Sequence, residues 1–308
     1  MTDAQLARFS DLESQGARFA AEMGVPLGAY QKMTAEHLFL VMSSPELGGP
    51  FATDPGISDD QGLVAAIVKC SPGQGPYLHA HYNTLENFIC LDGRFRITWG
   101  DSGEHEAFLD PLDTVSVPRG VVRAFENASD GPAHILAFIR GDKPEDFGDV
   151  AMTPAAAEDL DATFGDGTAD KIKDIGWRFD AGVDAPTAQV NPDEMGARLA
   201  RFSETTPEGG GELRRYAIMD DGGNAEISGD PGLRADIFEV APNADADLAG
   251  TPGKRTLMCV GGSLTLSWDG GSAEMTPWDT VALPAGTGCH LANAGSAPAR
   301  LFAMETGV

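Results

Sequence analysis

The chain has 308 residues, of which 42% are hydrophobic and 22% charged, and its 21 Lys and Arg against 47 Asp and Glu leave a net charge of −26. That is ordinary globular composition for two domains or one large one, and it excludes disordered and fibrous classes. An acidic surplus of this size repels phosphate backbones and anionic headgroups, which argues against nucleic-acid and membrane-surface partners.

No apolar run reaches the ~18 residues a membrane span needs, and Met1–Ala20 has neither a basic start nor an apolar stretch. Cys70, Cys90, Cys259 and Cys289 are widely separated with no CxxC pair, as expected of reduced thiols in a cytoplasmic protein.

At the start of the chain, Leu6, Phe9, Leu12, Phe19 and Met23 fall at roughly helical spacing, so a helix is expected from Asp3 to Glu22, with a packing role. Short alternating stretches follow, such as Phe95–Trp99 and Val115–Val117, bounded by Asp/Gly turns. These predict the antiparallel strands of a sandwich or barrel. Thr153-Pro154 opens a run rich in Ala and acids, which predicts a connector helix.

The strand pattern then recurs. Ile57–Ile67 matches Ile227–Ile237, Arg96–Trp99 matches Thr265–Trp268, and Asp113–Pro118 with Asn127 matches Asp279–Pro284 with Asn293, at an offset of 166 to 170 residues. A repeat of that length is a duplicated domain. The expected organisation is a helical arm (1–30), a first β-barrel (31–150), a helical connector (151–194) and a second barrel (195–308).

One group of residues carries chemistry. Gly73 to Gly93 follows G-x5-H-x-H-x4-E-x6-G, with His79, His81 and Glu86 at the titratable positions. On a strand, side chains two apart share a face, so both imidazoles enter one space, and Glu86 can reach it from the next strand. Two imidazoles and a carboxylate form a divalent-metal site with open positions.

This pattern resembles the first motif of the cupin superfamily. The second, G-x5-P-x-G-x2-H-x3-N, is present as Leu112 to Asn127, with Pro118, Gly120 and Asn127 in place, Leu112 at the leading glycine and Arg123 at the histidine. Weakened copies in the second half extend the resemblance to two-domain bicupins, over residues 30–150 and 195–306. It implies an all-β fold of two double-stranded β-helix (jelly-roll) barrels. It also implies that His79, His81 and Glu86 ligate one divalent metal, Fe first, with Ni, Mn or Zn as alternatives.

Arginine cannot serve as the fourth ligand, because its guanidinium stays protonated. At about 5 Å from a dication it costs roughly 7 kcal/mol gross at an effective dielectric near 20, against roughly 17 gained by a carboxylate at about 2 Å. Arg123 therefore weakens a site without forbidding it. Two arrangements follow: Arg123 grips a ligand carboxylate with its fork, or it pairs with Glu86 and leaves the histidines as spectators.

In the second barrel Arg255 falls opposite Glu86, Cys259 opposite Cys90, and Cys289 takes the final histidine position with His290 beside it. No ligand set remains there. His37, His105 and His134 read as structural, Cys90 as core or cavity lining, and Tyr77, Tyr82, Phe88, Phe95 and Phe125 as candidate pocket wall.

The functional expectation is a dioxygenase similar to the cupins that cleave gentisate or flavonols, with Arg123 and Glu86 as candidate catalytic residues and a small anionic or phenolic ligand. A lyase or isomerase using the metal as Lewis acid is one alternative and a non-enzymatic binding cupin another. Homodimer formation is left open.

Overall fold

The computed structural model describes residues 3–44, 54–58, 62–184, 186–229 and 232–307. Asp59–Gln61 and Asp230–Pro231, within the repeated segment, lie outside them, as do the expected domain ends at Met1 and Val308. The chain divides into two compact units, one of Glu13–Arg198 and one joining Met1–Leu12 to Leu199–Val308.

In the first unit a five-stranded sheet runs in the order Val150–Met152, His79–His81, Arg123–Asn127, Phe95–Trp99, His105–Leu109. A second sheet runs through Thr114–Val117, Leu85–Cys90, Ala133–Arg140, Leu63–Cys70, His37–Ser43 and Ile57–Ser58. All neighbours are antiparallel except the last pair. Alternation sets what faces inward: in Arg123–Asn127, Arg123, Phe125 and Asn127 are buried while Ala124 and Glu126 between them are half-buried. The ring of Phe125 meets those of Phe88 and Phe95 edge-on, at 5.4 and 6.2 Å.

The helices of this unit form a separate apolar cluster. Phe19 and Ala20 of Gly16–Met23, Ala29, Tyr30 and Met33 of Leu27–Met33, Ala156 and Leu160 of Pro154–Phe164, and Ile172 of Thr168–Asp174 are buried together with Trp177. The expected connector helix is present as Pro154–Phe164, with Thr153 extended at its cap position but making no side-chain cap bond.

The expected helix from Asp3 to Glu22 is corrected by the structure. Gln5–Ala7 is a strand paired with Thr280–Ala282, a single 3-10 turn covers Phe9–Asp11, and the α-helix begins only at Gly16. Arg8 fixes this strand by donating to Asp279 Oδ2 at 2.7 Å. Ladder bonds and a partly buried ion pair outweigh the helical spacing of Leu6 and Phe9, and the first twelve residues complete the second unit rather than the first.

That second unit repeats the two-sheet plan. One sheet runs Gln5–Ala7, Thr280–Leu283, Lys254–Gly261, Ala299–Thr306, Leu233–Val240, Leu213–Asp220, Glu208–Gly210; the other runs Ala244–Leu248, Cys289–Asn293, Leu264–Trp268, Gly271–Met275. Leu257, Val281, Leu291 and Leu301 are fully buried between them.

The repeated motif positions do the same work in both units. Leu112, where the motif has glycine, and its counterpart Trp278 hold φ of 71° and 74°, the left-handed region that favours glycine. Asn127 donates to Cys70 O and Gly131 O at 2.8 Å each and accepts from Ser129 N at 2.8 Å. Asn293 likewise donates to Val240 O and Ala297 O and accepts from Gly295 N. Removing such a clamp leaves buried carbonyls unpaired, so Asn127→Ala and Asn293→Ala are each expected to destabilise by about 2 kcal/mol in urea titrations, and an unchanged midpoint would refute the clamp.

Candidate metal centre

His79 and His81 lie on one three-residue strand, between Val150–Met152 and Arg123–Asn127, with Arg123 directly opposite His79 and Val150 opposite His81. Glu86 comes from the strand of the other sheet that follows a short turn, opposite Val117 and Ile139. Gly120, at φ 76°, donates its N–H to His81 O at 2.6 Å and so ties the turn before Arg123 to the histidine strand.

All four side chains are buried. His79 Nδ1 lies 2.8 Å from Tyr77 O, a carbonyl that can only accept, so Nδ1 carries the proton and Nε2 keeps its lone pair. His81 Nδ1 is 3.0 Å from Asp149 Oδ1 and 3.1 Å from Thr84 Oγ1, which by the same argument frees its Nε2. These two Nε2 atoms stand 3.7 and 3.8 Å from Glu86 Oε2. Among the described residues this is the one group of three or more His, Cys, Asp or Glu donors gathered within 4.8 Å of one another.

Ligand bonds of about 2.1 Å at tetrahedral angles separate donor atoms by about 3.4 Å. The two imidazole–carboxylate separations therefore need to shorten by only a few tenths of an ångström to hold a divalent ion, within a group of donors spanning no more than 4.8 Å, and anchored Nδ1 atoms are the usual means of aiming ligating imidazoles. The donor set fits the ion.

Arg123 pairs with Glu86, and both histidines still face that carboxylate. Its Nε and Nη2 donate to Glu86 Oε2 at 2.9 and 2.6 Å, and Nη1 donates to Val121 O at 3.2 Å. The guanidinium is fully buried and its bonds go to Glu86 and Val121 O. The cause lies in register, since Arg123 shares the inward face with His79 and its nearest anion is Glu86.

The electrostatics are consistent with this pairing. Burial alone would raise the Glu86 carboxyl, but Arg123, with His81 and His79, holds it well below the usual carboxylate range. Burial lowers the His79 imidazole, and Arg123 adds to that against the pull of Glu86, so it is neutral and able to donate a lone pair. A neutral His79 imidazole beside an ionised Glu86 carboxylate is in the protonation state that metal binding requires.

A cavity of about 100 Å³ opens onto His79, His81 and Glu86. Met33, Leu38, Leu40, Phe125, Phe147 and Trp177 contribute to its walls. Of the aromatics expected there, only Phe125 takes part. Phe88 and Phe95 are core, Tyr77 Oη donates to Asp159, and Tyr82 lies beside the Arg178 guanidinium. Cys90 is also core: its Sγ donates to Asp92 O, and burial pushes its thiol up.

His37 contacts Ser14, His134 contacts Asp92, and His105 stacks obliquely on Trp99. None of the three belongs to the donor group of His79, His81 and Glu86. In the second unit Arg255, at the position of Glu86, donates from Nε to Glu305 Oε1 at 2.6 Å and from Nη1 to Ala249 O. There Cys289 is buried and His290 points outward to Asp247.

Residues 66–139 match the family model described as a cupin domain. This part of the chain is a cupin domain. The fold of the whole is that of a bicupin, similar to a mutant of Bacillus subtilis oxalate decarboxylase OxdC at 16% identity and a TM-score of 0.63, over 99% of this chain and 78% of that one. It is similar at 16% identity, a TM-score of 0.61 and the same coverage to a structure of that enzyme from work on its Mn(II) centres. It is similar also to one from work on its substrate binding mode and reaction specificity switch, at 16% and 0.63, again over 99% and 78%. Comparison with curated proteins gives no match.

Sequence reasoning missed Asp149 in this cupin. Besides holding His81, it accepts from the backbone N–H of Asn83 and Thr84 at 2.6 and 2.7 Å. Burial would raise its carboxyl, but these bonds and that from His81 keep it low and ionised. It lies 68 residues beyond His81 and outside both motifs, and only the pairing of Val150 with His81 brings it near. Asp149→Asn keeps the shape but removes the charge behind His81, so Mn(II) affinity measured by calorimetry is expected to fall about tenfold. Equal affinity in the two proteins would rule out that support.

Proposed function

We propose that the Glu13–Arg198 unit holds one divalent cation on His79, His81 and Glu86 and acts as a lyase on a small organic acid, in a cytoplasmic setting. The observation that carries this reading is the convergence of two free Nε2 atoms on one buried carboxylate oxygen beside a largely apolar cavity. The lyase reading is favoured over the expected dioxygenase by fold-level likeness to oxalate decarboxylase, a lyase. The expected iron has no specific support, whereas one similar structure concerns Mn(II) centres, so Mn(II) is the cation to test first. Four free, buried cysteines support the cytoplasmic setting.

When bound, the cation supplies Lewis acidity that polarises an oxygen of the acid. The residues of the chain do the rest. His79 and His81 each present one nitrogen, aimed by Tyr77 O and Asp149. Arg123 keeps Glu86 ionised and fixes its orientation, as a positioning residue that does not line the cavity. The apolar wall excludes water, which strengthens each of these electrostatic contacts.

After loading with Mn(II) and dialysis, elemental analysis is expected to find one metal per chain, and none in the His79→Ala/His81→Ala double variant. On a panel of small organic acids, product is expected to form at the same rate with and without oxygen. Absence of metal would defeat the proposal, and turnover that stops when oxygen is removed would replace the lyase by the dioxygenase.

A further inference from the structure

Three neighbouring strands supply one side of the cavity wall: Leu38 and Leu40 from one, Val64, Ala66 and Val68 from the next, and Ala137 and Ile139 from the third. They recur every second residue, so the antiparallel register turns one continuous apolar face toward His79, His81 and Glu86. Phe147 and Trp177 extend it.

Among the described residues lining the cavity there is no Lys or Arg, and besides His79, His81, Glu86 and the indole of Trp177 the only polar side chain is that of Thr34. Its hydroxyl donates to Tyr30 O at 3.1 Å. Arg123, the nearest cation to the donor group, has its nitrogens committed to Glu86 and Val121. A bound acid therefore has one place for a charged group, at the metal donors, and apolar contact for the rest.

Resting on the function proposed above, we infer that the acid taken by this site is a monocarboxylate with a small apolar body, of about the size of isovalerate, and not a dicarboxylate. A second carboxylate finds neither countercharge nor donor along the Leu38, Val64 and Ile139 wall. Even oxalate, which could place both carboxylates toward one cation, would turn its outer oxygens to that wall, where a buried polar atom without a partner is costly. Size sets an upper bound. A cavity of about 100 Å³ is smaller than the ~150 Å³ apolar cavity that holds benzene, so the body is limited to a few carbon atoms. Pockets of this kind bind through shape and apolar area, with few polar groups fixing orientation.

Calorimetric titration of the Mn(II)-loaded protein with isovalerate, malonate and oxalate tests this, with metal content measured before and after each titration. Isovalerate is expected to bind at least tenfold more tightly than either dicarboxylate. Ala66→Leu, which fills part of the cavity, is expected to weaken isovalerate at least tenfold with metal content unchanged. If the metal is retained and malonate or oxalate binds as tightly as isovalerate, the inference is overturned and the lyase proposal stands. If no metal is held at the outset, the parent proposal fails and this inference with it.

Discussion

Glu86 is the point on which the first barrel is balanced. Its Oε2 accepts two bonds from Arg123 and faces two imidazole nitrogens below 4 Å, all on buried side chains. A buried carboxylate is stable only if its charge is matched, and Arg123 matches it. Removing one partner of such a pair typically costs about 3–5 kcal/mol, because the other is left charged in an apolar interior. The same pairing keeps Glu86 ionised, so the device that stabilises the barrel also sets the protonation state a cation would need.

The duplicated barrel shows which part of this arrangement is structural. At the equivalent position Arg255 is buried against Glu305. A buried Arg–Glu pair is therefore common to both units, at different positions, while among the described residues two imidazoles converging on a carboxylate are found in the first. What distinguishes the first unit is the aiming of its histidines, and that depends on Tyr77 O and on Asp149, delivered by the strand Val150–Met152. The helical cluster contributes as well, since Met33 and Trp177 belong both to it and to the cavity wall.

Much of this was legible in the sequence because the relevant signals are local. The duplication, the alternating strands and the H-x-H-x4-E spacing fix fold class and the meeting of His79, His81 and Glu86 through strand periodicity alone. Three features were not legible, each decided by contacts far apart in the chain. The helical spacing of Leu6 and Phe9 gave way to a ladder with Thr280–Ala282, some 275 residues away. Asp149 has no spacing relation to His81, and only strand pairing joins them. Whether Arg123 would face a ligand or Glu86 depended on where the opposing strand placed its carboxylate, which composition and period do not specify.

The most direct measurement is pulsed electron paramagnetic resonance of the protein loaded with Mn(II), which detects nitrogen nuclei bonded to the ion. Modulation from two directly bound imidazole nitrogens is expected, from the Nε2 atoms of His79 and His81. A spectrum of hydrated Mn(II) without nitrogen modulation would contradict the claim that these two side chains and Glu86 form a metal centre.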